Sequence, residues 1–173
     1  ERTLRENFFP PFEEIIKHTN IRAVMPSYNE IDGIPSHANY WLLHDILRGE
    51  WGFKGAVTSD YDAIEQLADL HHVAADYTDA AIQALHAGVD MDLPDGDAYK
   101  TLITSVKAGK VSVKQIDDAV RRILTLKFEG GLFEHPYYDA DAADAITGNA
   151  DGRAVALKAA QEVPVLLKND GTL

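Results

Sequence analysis

The ten residues 55–64 read Gly-Ala-Val-Thr-Ser-Asp-Tyr-Asp-Ala-Ile, so a short apolar run leads directly into Asp60, with Tyr61 between it and a second carboxylate, Asp62. At the carboxyl end of a parallel strand, where α/β proteins gather their functional groups, Asp60 is a candidate catalytic carboxylate. The same residue types also suit a plainer role, because Ser, Thr and Asp favour strand ends and helix caps. An Asp-x-Asp pair could ligate a metal with help from His71-His72. Adjacent histidines point apart on a helix or strand, however, and no second pair has ligand spacing, so neither a metal nor a cofactor is expected. Glu30, Asp32, Asp62, Asp92 and Asp95 fall on the expected loop side of the sheet as possible proton donors. None has a distinguishing context.

Elements must hold these groups in place, and the apolar periodicity supplies them. Arg2 to Lys17 carries Leu4, Phe8, Phe9, Phe12, Ile15 and Ile16 as an amphipathic helix that Pro10-Pro11 kinks or restarts. Ile21 to Pro26 is a strand, Ser27 to Pro35 a loop, and Ser36 to Arg48 a helix with a wide apolar face. Gly55 to Ser59 is the next strand. Thr78 to Ala87 is a helix stopped by Gly88, and Val89 to Leu93 is a third strand ending at Pro94. Ser112 and Gln115 form a capping-box pair that opens a helix over Ser112 to Phe128, closed by Gly130-Gly131. Leu132 to Gly148 has no period and reads as loop. Asp151 to Glu162 is an Ala-rich helix and Val163 to Leu167 a last strand. Three βα units in a row imply a parallel sheet covered by helices, in either an open doubly wound sheet or part of a βα barrel.

Composition removes several function classes. The 173 residues are 46% apolar and 25% charged, an ordinary globular balance able to bury one core. Lys plus Arg number 16 against 28 for Asp plus Glu, a net charge of −12 with no basic stripe, so nucleic acid is not an expected partner. No apolar run approaches the roughly 18 residues of a membrane span. The amino end has neither a signal-peptide core nor a starting Met, so the chain is expected to begin mid-gene. The absence of cysteine removes disulfides, thiolate metal sites and a Cys nucleophile, and leaves the compartment open.

Taken in order, Met25-Pro26-Ser27-Tyr28-Asn29-Glu30-Ile31-Asp32-Gly33, Trp41-Leu42-Leu43, Gly49-Glu50-Trp51-Gly52-Phe53 and Val57-Thr58-Ser59-Asp60-Tyr61 resemble glycoside hydrolase family 3. Ala87-Gly88-Val89-Asp90-Met91, Gly131-Leu132-Phe133 and the closing Val165 to Leu173 agree. The resemblance implies an α/β chain in which residues 1–130 are the second half of a (β/α)8 catalytic barrel. Residues 131–150 would then be a linker, and 151–173 the first elements of an α/β sandwich domain. It implies that Asp60 is the nucleophile and that Tyr28, Tyr61 and Met91 lie in the sugar subsite. The expected substrate is an oligosaccharide or aryl β-glycoside. Retaining hydrolysis needs two carboxyl groups about 5 to 5.5 Å apart, and Asp60, as the attacking one, must stay ionised. In the glucosidase-like branch the acid is a Glu of the second domain. In the N-acetylglucosaminidase branch it is a His-Asp pair on an earlier loop, so on either branch the pair is incomplete here. Trp41 and Trp51 could stack on sugar, but their apolar settings read as packing.

The resemblance points to a β-glucosidase or β-xylosidase activity with three rivals. The N-acetylglucosaminidase branch is disfavoured by Val165 to Leu173, which looks like the entrance to a second domain. A phospho-acceptor signalling module would use Asp60 and Lys168, yet it needs an acidic pair where Ile21 to Tyr28 ends in Ser-Tyr instead. A relative that only binds sugar is disfavoured by the intact Ser-Asp-Tyr word.

Overall fold

The computed structural model describes residues 1–171, which divide into two units, Glu1–Gly130 and Gly131–Leu173. In the first unit Pro10 and Pro11 sit in the first turn of α1 (Phe9–His18), where a missing N–H leaves no helical bond unmade. A wider helical turn, Leu4–Phe8, precedes it, so the prolines restart the helix. The chain then forms β1 (Ala23–Val24). The expected loop from Ser27 to Pro35 instead contains a small hairpin, β2 (Glu30–Ile31) and β3 (Ile34–Pro35), paired antiparallel. Its turn is Asp32-Gly33, with φ of +52° and +80°, the left-handed pair that two-residue hairpin turns require.

The helix expected over Ser36 to Arg48 is in two pieces. Ser36–Ala38 is a single tight turn, and Trp41–Glu50 is a helix wound with the wider i→i+5 spacing. Asn39 interrupts them because its side-chain oxygen accepts from the Leu42 N–H (3.0 Å) and so begins the second piece. β4 (Ala56–Tyr61) follows, carrying the strand on through Asp60 and Tyr61. After the short α2 (Gln66–Asp69), Asp76 caps α3 (Tyr77–Ala87), which ends at Gly88 with φ of +111°. β5 (Met91–Leu93) leads through a turn at Tyr99–Thr101 into α4 (Leu102–Lys107), a helix that has too few residues to show a period in the sequence. α5 (Val113–Glu129) opens with the expected reciprocal Ser112–Gln115 capping box.

β1, β4 and β5 make one parallel sheet in that order, pairing Ala23 with Ala56, Val24 with Val57 and Thr58 with Met91. The β4–β5 register shifts between Thr58 and Tyr61, a bulge next to Asp60. Alternation along β4 sends Val57 and Ser59 (each 0% exposed) into the core and leaves Thr58 and Asp60 on the other face. The core lies between sheet and helices. Ile46, Ile64 and Leu67 are fully buried, each worth about 1.5–3 kcal/mol. Ala80, Ala81 and Ala84 let α3 pack closely on them. Phe9 stacks edge-on against Trp51 at 5.2 Å and lies 6.0 Å from Trp41, so both tryptophans are packing residues.

Beneath the sheet, Asp90 is the most heavily bonded carboxylate. It accepts from Arg48 (2.9 Å), from Arg122 (2.7 and 2.9 Å) and from the Val57 N–H (2.9 Å). Removing one partner of a buried carboxylate bonded this way leaves the remaining groups unpaired and is strongly destabilising.

In the second unit, α6 (Ala140–Ile146) and α7 (Ala150–Glu162) are capped by Asp139 and Asn149. α6 corrects the reading of Leu132 to Gly148 as loop, because the Asp139 cap starts a helix that too few apolar residues announce. The strand expected at Val163 to Leu167 is also absent. That run pairs with no other strand among the described residues, and without a partner apolar β-formers have no ladder to join. Residues 132–171 are all exposed. The last two residues of the Asp-Gly-Thr-Leu word lie outside the described ones.

Candidate active site

Asp60 is the penultimate residue of β4, and its surroundings fix both its backbone and its carboxylate. One carboxylate oxygen accepts from the Tyr61 N–H at 2.7 Å. The Asp60 N–H donates to Nε2 of His37 at 3.1 Å. On either side, the Leu93 N–H donates to Ser59 Oγ (2.8 Å) and the Asp62 N–H to the Leu93 carbonyl (2.9 Å). These bonds come from β4 itself, from His37 and from Leu93 of β5, so Asp60 has little freedom to shift.

Tyr28 reaches the same place from the loop after β1. Its hydroxyl donates to the Tyr61 carbonyl at 2.7 Å, across 33 residues of sequence. Partial burial raises its pKa, helped by its hydrogen bond to the nearby Asp60 carboxylate and by the charges of Asp60 and Asp62. The phenol therefore stays protonated and remains a donor beside Asp60. Met91 on β5 is opposite Thr58, on the face that carries Asp60, and Tyr61 is 60% exposed at the strand end. Tyr28, Asp60 and Tyr61 thus meet at one end of the sheet, with Met91 on the face of Asp60 but further back along the strands.

Of the possible proton donors, Glu30 is engaged with His71 Nδ1 at 2.9 Å. Asp32 lies in the hairpin turn, and Asp62 turns away from the strand with φ of +57°. Asp92, expected on the open rim, is instead buried at 7% exposure. It points to the opposite face of β5 from Met91 and accepts from the Tyr99 N–H at 3.0 Å. Burial raises its pKa to about 6, with the Tyr99 N–H pulling the other way and Glu65 adding to the rise. Glu65 caps the adjacent Ala98 N–H at 2.9 Å.

His37 was not foreseen. It is 2% exposed, and burial depresses its pKa to about 4 against the opposing pull of Asp60 and the Ser27 backbone. The imidazole is therefore neutral. Nothing in its sequence context, Pro-Ser-His-Ala, marks it out, because its role depends on which side of β4 the Asp60 amide faces. Among the described residues no group of three or more His, Cys, Asp or Glu side chains could hold a metal ion. Among them, too, no helix is long and apolar enough to cross a membrane.

A family model described as the glycosyl hydrolase family 3 N terminal domain matches residues 1–126. A β-xylosidase of Formosa agariphila is 41% identical over all of this chain and 25% of its own length. A periplasmic β-glucosidase of Salmonella typhimurium is 40% identical over 96% of this chain and 22% of its own. The crystal structure of a β-glucosidase from Listeria innocua in complex with glucose superposes with a TM-score of 0.87 at 35% identity. It covers 99% of this chain and 23% of that one. The chain thus spans about a quarter of the length of the curated relatives it matches.

Proposed function

The chain belongs to glycosyl hydrolase family 3, and from that premise we propose that the complete protein is a retaining exo-β-glycosidase removing terminal β-D-glucosyl or β-D-xylosyl residues. Asp60 is the nucleophile. The observation that carries the reading is a carboxylate held at the parallel-strand end by the Tyr61 N–H, with the Tyr28 hydroxyl beside it. Relatives named β-xylosidase and β-glucosidase support the two sugar classes.

In this reading an Asp60 carboxylate oxygen attacks the anomeric carbon as the bond to the departing oxygen breaks. That oxygen takes a proton from an acid contributed by another part of the whole protein. Water then displaces Asp60 from the glycosyl-enzyme, giving a proton to the conjugate base of that acid, and returns the free carboxylate. The Tyr28 hydroxyl steadies Asp60 and the strand end, while Tyr61 and Met91 bound the sugar subsite. Residues 1–130 form the second half of a (β/α)8 barrel, 131–150 a linker and 151–173 the start of an α/β sandwich domain. An apolar groove of about 640 Å³, lined by Phe8, Phe12, Met25 and Leu42 next to β1, supports the barrel reading. It is the space that a preceding strand and helix would fill. This chain alone, lacking the acid, is inactive.

The test uses the full-length protein and a slow 2-fluoro β-glycoside, with peptide mapping of the trapped intermediate. Label on Asp60 is expected, and Asp60→Asn should lower turnover by on the order of 10³ or more with little change in fold. Label on Asp62, on Glu30 or on no residue of this segment would defeat the assignment. Comparing kcat/KM for matched aryl β-glucosides and β-xylosides decides between the two sugars.

A further inference from the structure

The Asp60 backbone amide has no strand to pair with. Along β4, the Ala56 N–H donates to the Arg22 carbonyl on the β1 side (3.0 Å), and the Val57 carbonyl accepts from the Asp90 N–H on the β5 side (2.7 Å). Amides alternate sides along a strand, so those of Ala56, Thr58 and Asp60 all face β1. The β1 ladder stops at Val24, where the chain turns out through Met25-Pro26, one rung short of Asp60. His37 Nε2 stands where that rung would be, 3.1 Å from the Asp60 nitrogen.

The ring is set there by its own turn. Ser36 is anchored to the Asn29 carbonyl through both its N–H (3.2 Å) and its hydroxyl (2.7 Å), which fixes the Ser36–Ala38 turn against the loop from β1. Because Nε2 accepts, the proton of the neutral ring is on Nδ1, and the Ser27 backbone is the acceptor on that side. One imidazole therefore connects Ser27, next to Tyr28, with Asp60.

We propose that His37 is a positioning residue, a side chain that completes the sheet in place of the missing β1 rung and so holds the nucleophile at the depth its reaction requires. The inference rests on the assignment of Asp60 as nucleophile. A group that sets position acts on the chemical step more than on sugar binding, and a misplacement near 1 Å can cost about 100-fold in rate. Only a side chain with an acceptor at the right reach can replace it.

The experiment compares His37→Leu, His37→Asn and His37→Gln in the full-length protein. The rate of glycosyl-enzyme formation is measured with a 2-fluoro β-glycoside, binding with glucose, and folding by thermal melting. His37→Leu should slow formation about 10- to 100-fold while changing the glucose Kd less than about 3-fold. Asn, too short to reach, should be as slow. Gln, which brings a carbonyl oxygen to about the position of Nε2, should recover most of the rate. If Leu does not fold, the Asn and Gln pair carries the comparison. A folded Leu or Asn variant within about 3-fold of the native rate, a Gln variant as slow as Asn, or an equal loss in glucose binding and rate would each overturn the inference. A native protein that carries no label on Asp60 defeats the nucleophile assignment and this inference with it. A labelled native protein with unaffected variants defeats the inference alone.

Discussion

His37 and Asp92 are buried titratable groups shifted in opposite senses, and their effects on stability offset. His37 falls from 6.5 to about 4, so between those values the unfolded chain binds more protons. Its contribution is present above pH 6.5 and is lost as pH falls to about 4. Asp92 rises from 3.8 to about 6, so its contribution is present below pH 3.8 and is lost as pH rises through 6. Each amounts to about 3 kcal/mol across its window. Asp92→Asn removes one of the two. Urea melts of full-length native and variant protein at pH 4, 5, 6 and 7 should show the variant losing about 2 kcal/mol more than native between pH 6 and 4. Parallel curves would refute the offset. At this scale the place of Asp60 at the end of β4 was legible in the apolar run that precedes it. His37 and the inward turn of Asp92 were not, because strand parity and the β4–β5 bulge decide which way an amide or side chain faces, and neither leaves a mark on residue type.

Among the elements, Gly55 joins β4 to the segment before it at a point where nothing larger fits. A Cβ there would lie 2.1 Å from the Arg22 carbonyl oxygen and 2.6 Å from the Phe53 ring. Gly55→Ala must therefore separate β1 from β4, and should cost about 3 kcal/mol. Ser112→Ala removes only the α5 cap, and should cost about 1 kcal/mol. Chemical denaturation of the two variants checks the order; an equal or reversed ranking would mean that β1 gives way easily. The contrast also marks what local sequence can reveal. The Ser112–Gln115 box and the Gly88 stop are local and were read directly, and Asp32-Gly33 carried a hairpin signal within a stretch read as loop. The Val163 to Leu167 run looked like a strand, but a strand exists only through a partner, which no local pattern specifies.

Within residues 1–130, several large apolar side chains stand exposed together at one edge of the sheet. Phe8 and Phe12 are 59% and 60% exposed and Met25 is 56%, all beside an edge of β1 that has no partner among the described residues. An open edge with an apolar border invites association. Expressed alone, residues 1–173 should sediment as oligomers or aggregates despite a net charge of −12; a monomer that unfolds cooperatively would show the chain to be self-sufficient. The carboxylate of Asp90 has a consequence of another kind. It joins the helix Trp41–Glu50 through Arg48, α5 through Arg122 and β4 through the Val57 N–H. The Val57 proton cannot reach solvent unless all three come apart, so in deuterated water it should be among the last amide protons of residues 1–130 to exchange, with a rate that reports the opening of the whole unit.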